Sequence, residues 1–289
     1  MNDWSMKAEF INANGVSFPI DPPFYLEDLH IEGLSGLLAE AKMTKAPYQD
    51  GRTLIDMNVD ERYFDLPFQI VADSREQLEQ YRLLVNEVFN PKLGLGTLRI
   101  TLPSGQVWCI DCVPTNALMP GGEARMDDYQ EVLIPMVAPN PYLYDPTQIE
   151  NIMIGFSGGF KFPFKFPFTL GTVGSQITVG NVGNIETPVM IYFYGEVVNP
   201  VIQNVTTEEG ISIVKTIADG EILIINTAFG EKSAMILTGG EYVNAFEYVD
   251  PDSKFWNLVP GTNTLKYTAS SEGANAQCRV YYYNRRSGV

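Results

Sequence analysis

Three groups of residues have types and spacing that invite chemistry. The first is Trp108-Cys109-Ile110-Asp111-Cys112, which has the spacing of a redox dithiol. Such a pair needs its leading cysteine at a helix N-terminus, where the thiol pKa falls. Here the motif sits in the second strand of a hairpin, Gln106–Val113, and residues three apart in a strand point to opposite faces. The spacing therefore argues against a dithiol site. Zinc needs about four ligands, and the chain offers only three scattered cysteines and His30. As the sole histidine, His30 could act as a base, but no Gly-x-Ser-x-Gly elbow or cysteine nucleophile accompanies it. The reading it supports better is a satisfied structural histidine. The acidic pairs Asp127/Asp128, Glu208/Glu209 and Asp250/Asp252 have the composition of glycosidase carboxylates, and the last pair that of a calcium site. All lie in polar, turn-like stretches where solvated charge is the default. Trp256 could stack on a sugar or belong to a sheet core. Gly155, Gly158 and Gly159 do not join a strand to a helix, so no phosphate loop is formed. The expected catalytic, cofactor and metal sites are therefore none.

The elements that would have to position any site are mostly strands. Ala8–Asn12 and Val16–Ile20 flank Asn14-Gly15, a strong hairpin signal because both turn positions favour positive φ. Strands follow at Phe24–Glu32 and Leu37–Thr44. The turn Tyr48–Arg52 leads to Thr53–Met57, and Arg62–Val71 is a further strand. The pair around the turn predicts an arm reaching beyond the domain body, with Lys42, Lys45, Tyr48 and Arg52 as subunit-contact residues. One helix is expected over 74–90, running Arg75–Phe89 with Ser74 as N-cap and Gln77 as capping-box partner. Leu78, Tyr81, Val85, Val88 and Phe89 share one face. Leu98–Leu102, Gln106–Val113 and Tyr129–Met136 complete a first domain, residues 1–138.

Residues 139–171 read as a connector. Pro139, Pro141 and Pro146 prevent a helix, and Phe160, Phe162, Phe164, Phe166 and Phe168 alternate with lysine and proline. This is the period of an extended chain with one apolar face, packed on its own domains or on a neighbouring copy. Residues 172–289 then read as short strands with frequent turns, a β-sandwich. Val189–Val198 is one apolar run; Ile211–Ile217 and Glu221–Thr227 form an expected hairpin around Ala218-Asp219-Gly220; Tyr242–Tyr248 is another strand.

The 289 residues carry a net charge of −16. Up to Ala138 there are 21 acidic against 10 basic residues, so the acid is concentrated in the first half. That opposes stable nucleic-acid binding, which needs clustered Lys and Arg. Met1–Lys7 lacks the pattern of a signal peptide, and no run reaches the roughly 18 apolar residues of a membrane span. The odd cysteine count opposes a disulfide framework. These features suit an assembly or binding protein better than an enzyme.

Four stretches together resemble the distal tail proteins (Dit) of long-tailed phages. They are Asp50-Gly51-Arg52-Thr53 with Tyr63–Ile70, and the helix Ser74–Phe89 leading into Gly96-Thr97-Leu98. Next come Asn140–Asp145 with the Phe-Pro-Phe run, and last Pro260–Tyr267 with the ending Val280–Val289. The resemblance implies a mainly β fold: a tail-tube-like N-terminal β-sandwich with one packed helix, and a galectin-like C-terminal β-sandwich. It implies a non-enzymatic virion protein that forms a hexameric ring at the tail tip, made in the host cytoplasm. Its implied partners are the tail tube protein and tail-tip, tail-fibre or receptor-binding proteins, with no cofactor and no membrane. The alternative is a carbohydrate-binding, lectin-like module.

Overall fold

A computed structural model describes the chain except residues 1–5, 27–30, 118, 120–125, 155–174, 274 and 289. The strands of the first part are β1 (Lys7–Ile11), β2 (Ser17–Pro19), β3 (Phe24–Leu26), β4 (Ala39–Thr44), β5 (Thr53–Val59), β6 (Arg62–Val71), β7 (Gly96–Thr101), β8 (Val107–Pro114), β9 (Tyr129–Ala138) and β10 (Leu143–Tyr144), with helix α1 (Arg75–Val88) between β6 and β7. The rest are β11 (Ile149–Ile154), β12 (Ser175–Asn181), β13 (Met190–Tyr194), β14 (Val197–Val198), β15 (Val201–Asn204), β16 (Glu209–Ser212), β17 (Thr216–Ile217), β18 (Ile222–Asn226), β19 (Ser233–Thr238), β20 (Glu241–Asn244), β21 (Gly261–Thr268), β22 (Ser271–Glu272), β23 (Gln277–Tyr282) and β24 (Arg285–Arg286).

The chain forms two compact units. One comprises residues 1–146 together with 286–289, and the other residues 147–285. The segment expected as a connector supplies a strand to each. Tyr144 of β10 pairs with Cys109, and β11 pairs with β23 along its whole length. The phenylalanines from Phe160 to Phe168 lie outside the described residues.

In the first unit the strand order is β2-β1-β7-β8-β9-β6-β3, with β10 beside β8 and β24. Strand β8 pairs with β7 through Cys112 and with β9 at Val113 and Pro114, so it turns the sheet over on itself. Period-2 burial in β6 and β9 sends Phe64, Leu66, Phe68, Ile70, Val132, Ile134 and Met136 inward. Helix α1 closes this core with Leu78, Val85 and Val88. Phe89 stacks on Phe10 at 4.9 Å and meets Phe18 edge-on at 5.4 Å. Ser74 caps the helix by accepting from the Gln77 N–H at 3.3 Å. The Gln77 side chain reaches back to Asp73 N–H, at 2.7 Å, one residue before the cap that was expected to receive it.

The second unit packs a six-stranded sheet, β11-β23-β13-β18-β19-β20, and a four-stranded sheet, β12-β21-β15-β16, around one core, with a small sheet β17-β14-β22. Three expectations fail here. The run Val189–Val198 is broken at Gly195, whose φ is +78° and whose backbone lies so close to Asn275 that a Cβ would sit 2.8 Å from it. The turn at Ala218-Asp219-Gly220-Glu221 exists, with Glu221 N–H on the Ala218 carbonyl at 3.1 Å, but its flanks do not pair with each other. Instead β16 pairs with β15, β17 with β14, and β18 with β13 and β19. The strand expected to run to Tyr248 stops at Asn244 and gives way to a 3-10 turn, Phe246–Tyr248.

Candidate subunit interface

Strands β4 and β5 form a two-stranded sheet that shares no ladder with the rest of the first unit. Their register pairs Ala39 with Val59, Ala41 with Met57 and Lys42 with Asp56, then shifts to pair Met43 with Leu54 and Thr44 with Thr53. Ile55 is the extra residue of a β-bulge. Opposed residues share a face, so Ala39, Ala41, Met43, Leu54, Met57 and Val59 gather on one side. Glu40, Lys42, Thr44, Thr53, Asp56 and Asn58 take the other. Without the bulge Leu54 would fall among the polar residues, because a one-residue slip reverses every following side chain.

This apolar face is open. Every residue of β5 is exposed, with Leu54 at 56 % and Met57 at 51 % of full exposure, and Leu38 and Ile55 beside them stand open as well. An isolated two-stranded hairpin is marginal in water. Covering roughly 300 Å² of such a face at about 25 cal/mol per Å² gains on the order of 7 kcal/mol before the costs of association.

The four residues expected at subunit contacts all lie on this arm, and all are exposed. Lys42 is engaged within it: with the Asn58 amide turned to satisfy both neighbours, Lys42 Nζ donates to Asn58 at 2.6 Å and Asn58 donates to Asp56 at 3.2 Å. Lys45 and Arg52 flank the turn. Tyr48 occupies its tip, fully exposed at φ +64°. Pro47 precedes it, and Gln49 N–H donates to the Ala46 carbonyl at 3.2 Å, so Tyr48 holds the position where a type II turn favours glycine. Left-handed backbone costs a residue with a Cβ about 1–2 kcal/mol. The Gln49 side chain pins the turn, accepting from Ala46 N–H and donating to Thr53 Oγ1, both at 3.0 Å.

Arg62 fixes the root of the arm. It is buried, at 4 % exposure, and donates to the carbonyls of Gly33 (2.9 Å), Pro141 (2.8 Å) and Ser287. Gly33 and Arg62 bracket the arm, so one guanidinium ties both ends of the excursion to two distant segments. Burial pushes its pKa down, yet the ordinary value is so high that it stays charged. Gly33 has φ +89°, and a Cβ there would meet the Tyr63 carbonyl at 2.5 Å. The apolar face and this clamp are what sequence reading missed. The alternation Ala39-x-Ala41-x-Met43 signals the face in β4, but the bulge hides its continuation in β5.

The other candidates resolve as structure. Cys112 lies in the core and Cys109 on the opposite side of β8, and the three described cysteines are free and buried. Trp256 is core, at 1 % exposure, which removes it as a sugar platform. Asp250 Oδ1 accepts from Asp252 N–H at 2.9 Å, an ordinary aspartate turn. Among the described residues no group of three His, Cys, Asp or Glu is placed to hold a metal, and no helix is long and apolar enough to cross a membrane. His30 lies outside the described residues.

Comparison with known proteins supports the same direction. Residues 15–137 match the family described as "Phage tail protein RIFT-related domain", and residues 182–285 match "Siphovirus-type tail component, C-terminal domain". The crystal structure of the Dit protein of phage SPP1 is similar over 96 % of this chain and 98 % of its own, with TM-score 0.68 and 12 % identity. A chain of the phage P2 baseplate in its activated conformation with strontium covers 98 % and 99 %, with TM-score 0.56 and 11 % identity. No curated protein matches. The chain is a structural component of a siphovirus-type phage tail. Within that class it belongs to the siphophage distal tail protein family.

Proposed function

We propose that six copies close into a ring at the distal end of the tail, joining the tail tube to the tip and to receptor-binding components. In this reading the first unit builds the ring and the second, galectin-like unit serves as the outward adaptor. The observation that carries it is the arm, an amphipathic hairpin whose apolar face, Ala41 apart, is exposed, on a root clamped by Arg62. A face of that kind marks an interaction site. The acid of the first half fits a channel that lets DNA pass, since each phosphate neutralised by Lys or Arg would add salt-dependent retention. The lectin alternative loses its best aromatic with the burial of Trp256.

Light-scattering mass of the purified protein tests the reading, alongside the variant Leu54→Glu/Met57→Glu. The wild-type chain is expected at six protomers, and the variant at one with an unchanged melting temperature, because both side chains are exposed in the free chain. A double variant that keeps the wild-type mass would remove the arm from the interface.

A further inference from the structure

We propose that the outer edge of β20 is a docking site for an extended, basic segment of a different tail protein; this rests on the adaptor reading of the second unit and deepens it. Strand β20 ends the six-stranded sheet and, among the described residues, pairs only with β19. Its phase against β19 is fixed by Ala245, whose N–H donates to the Ala234 carbonyl at 2.8 Å. Bonded and non-bonded pairs alternate along an antiparallel ladder. Val243, opposite Ile236, therefore turns its N–H and C=O toward β19, while Tyr242 and Asn244 turn theirs to the outer edge. Every side chain of β20 is exposed. Val243 lies on the core side of the sheet, yet it is 51 % exposed, whereas its neighbour Ile236 is buried. The core includes Ala234, Ile236 and Ala245 but no residue of β20, so the second layer stops short of this strand. Both faces and one backbone edge are thus open together. Edge strands are commonly blunted by lysine, proline or a bulge, and β20 has none of these. Apolar surface continues beyond its end, where the exposed Phe246 stacks on Phe255 at 5.8 Å. Lys232 lies 5.8 Å over that same Phe255 ring. Its loop also carries Phe229, 97 % exposed at a turn closed by Glu231 N–H on the Ala228 carbonyl at 3.1 Å.

Backbone and charge together select the occupant. Donors and acceptors spaced along an open edge are matched by another extended backbone, and alternate side chains then supply specificity. Between Ala228 and Asp252 the chain has five acidic residues, Glu231, Glu241, Glu247, Asp250 and Asp252, against the single basic residue Lys232. A segment that alternates apolar residues with lysine or arginine meets this field, and an acidic one is repelled. The same field disfavours the sheets of a second copy. The other edge strands of the unit's two main sheets are β11, β12 and β16. None contains a lysine or arginine, and Glu150 and Glu209 make two of them acidic. A foreign strand is left, as an outward adaptor requires.

Peptide binding to the full-length protein tests this. The probe is a fluorescently labelled eight-residue peptide alternating valine and lysine, with a valine–glutamate peptide as control, both read by anisotropy. The wild type is expected to bind the lysine peptide at least about tenfold tighter than the control, with the gap narrowing as salt rises. Tyr242→Ala removes the side chain and keeps the outward N–H. Tyr242→Pro removes both, at a position where an edge strand tolerates proline. It is expected to bind about tenfold more weakly than Tyr242→Ala. Val243→Lys places a charge on the edge and is expected to abolish binding. All three should keep the wild-type melting temperature and light-scattering mass, because these side chains are exposed and lie outside the arm. Equal binding by Tyr242→Pro and Tyr242→Ala overturns strand addition. A wild type that ignores both peptides but binds host cell-wall glycan, and loses it with Phe229→Ala or Tyr242→Ala, overturns it in favour of a sugar platform. A wild type that binds only after Phe162, Phe164 and Phe166 are changed to serine has its edge filled by its own kind, which overturns the foreign occupant. Variants of β20 that lower the assembled mass do the same. A monomeric wild type whose peptide binding still depends on the Tyr242 N–H overturns the ring reading and upholds the docking edge.

Discussion

In β8 the side chains of Cys109 and Cys112 stand on opposite faces, and burial pushes the Cys112 thiol up to about 12 from an ordinary value near 9. The leading thiol, Cys109, is also raised, chiefly by burial, the reverse of what a redox nucleophile requires. Strand periodicity made this outcome readable from spacing alone. Arg62 was not readable, because its partners are backbone carbonyls, and a carbonyl leaves no trace in residue identity. Trp256 was ambiguous for a different reason: an aromatic in a polar-flanked run suits a core or a surface equally, and only the pairing of distant strands decides. The thiol shift has a consequence in pH. The fold favours the neutral thiol, while the unfolded chain loses that proton near pH 9. Above that pH the unfolded state binds fewer protons, so stability falls as pH rises from about 9 toward about 12. The slope for one such group approaches about 1.4 kcal/mol per pH unit. Urea unfolding of the first unit at pH 8 and pH 10.5 is expected to show that loss, and Cys112→Val to flatten it by about one proton. An identical pH dependence in the variant would show that the thiol does not titrate on unfolding.

Local elements were the most legible part of the fold. Helix α1 carries its start signal at Ser74, its apolar face and its stop at Asn90-Pro91 in one short stretch, and the structure places it over Arg75–Val88. Strand β6 was readable to the residue for the same reason, a clean period of two. Elements whose pairing is remote were not. The Ala218–Glu221 turn forms, yet its flanks go to other strands, one to β14 and the other to β13 and to the following strand β19. The arm falls between these cases: its turn is written in Pro47 and Gly51, but its bulge is a property of the pairing. For α1, the Ser74 hydroxyl satisfies one of the four N–H groups that a helix start leaves without a partner. Ser74→Ala is expected to cost about 1 kcal/mol. The loss should fall in the transition of the first unit alone, read by thermal unfolding. Equal stability of the variant would mean that Gln77 or solvent replaces the cap.

At the scale of the whole chain, the sequence reading expects a connector over residues 139–171, whereas the two compact units meet in sequence after Pro146, and the return of the chain end leaves no signal in the sequence at all. Residues 286–289 come back to the first unit across more than a hundred residues of the second. No local pattern announces that contact. Its parts are plain in the structure: Arg286 lies over the Trp108 ring at 5.0 Å, the Ser287 carbonyl accepts from Arg62, and Gly288 packs against the backbone of Leu34 and Ser35 too closely for a Cβ. The same guanidinium holds the root of the arm through Gly33. A chain stopped after Arg285 would therefore strip one of three acceptors from a buried charge and lose a cation–π contact. The first costs about 1–3 kcal/mol and the second about 0.5–1 kcal/mol. The first unit is expected to lose about 2–4 kcal/mol, with the second unit's transition unmoved. Arg62→Met should be destabilising by itself. In that background the same deletion should cost less, because the carbonyl no longer has a charge to satisfy, and the difference is the coupling between Arg62 and the chain end. Equal costs of deletion in both backgrounds would show that the returning residues act through packing alone. A loss of assembly in the truncated chain beyond its loss of stability would instead show that the clamp sets the direction in which the arm leaves the domain.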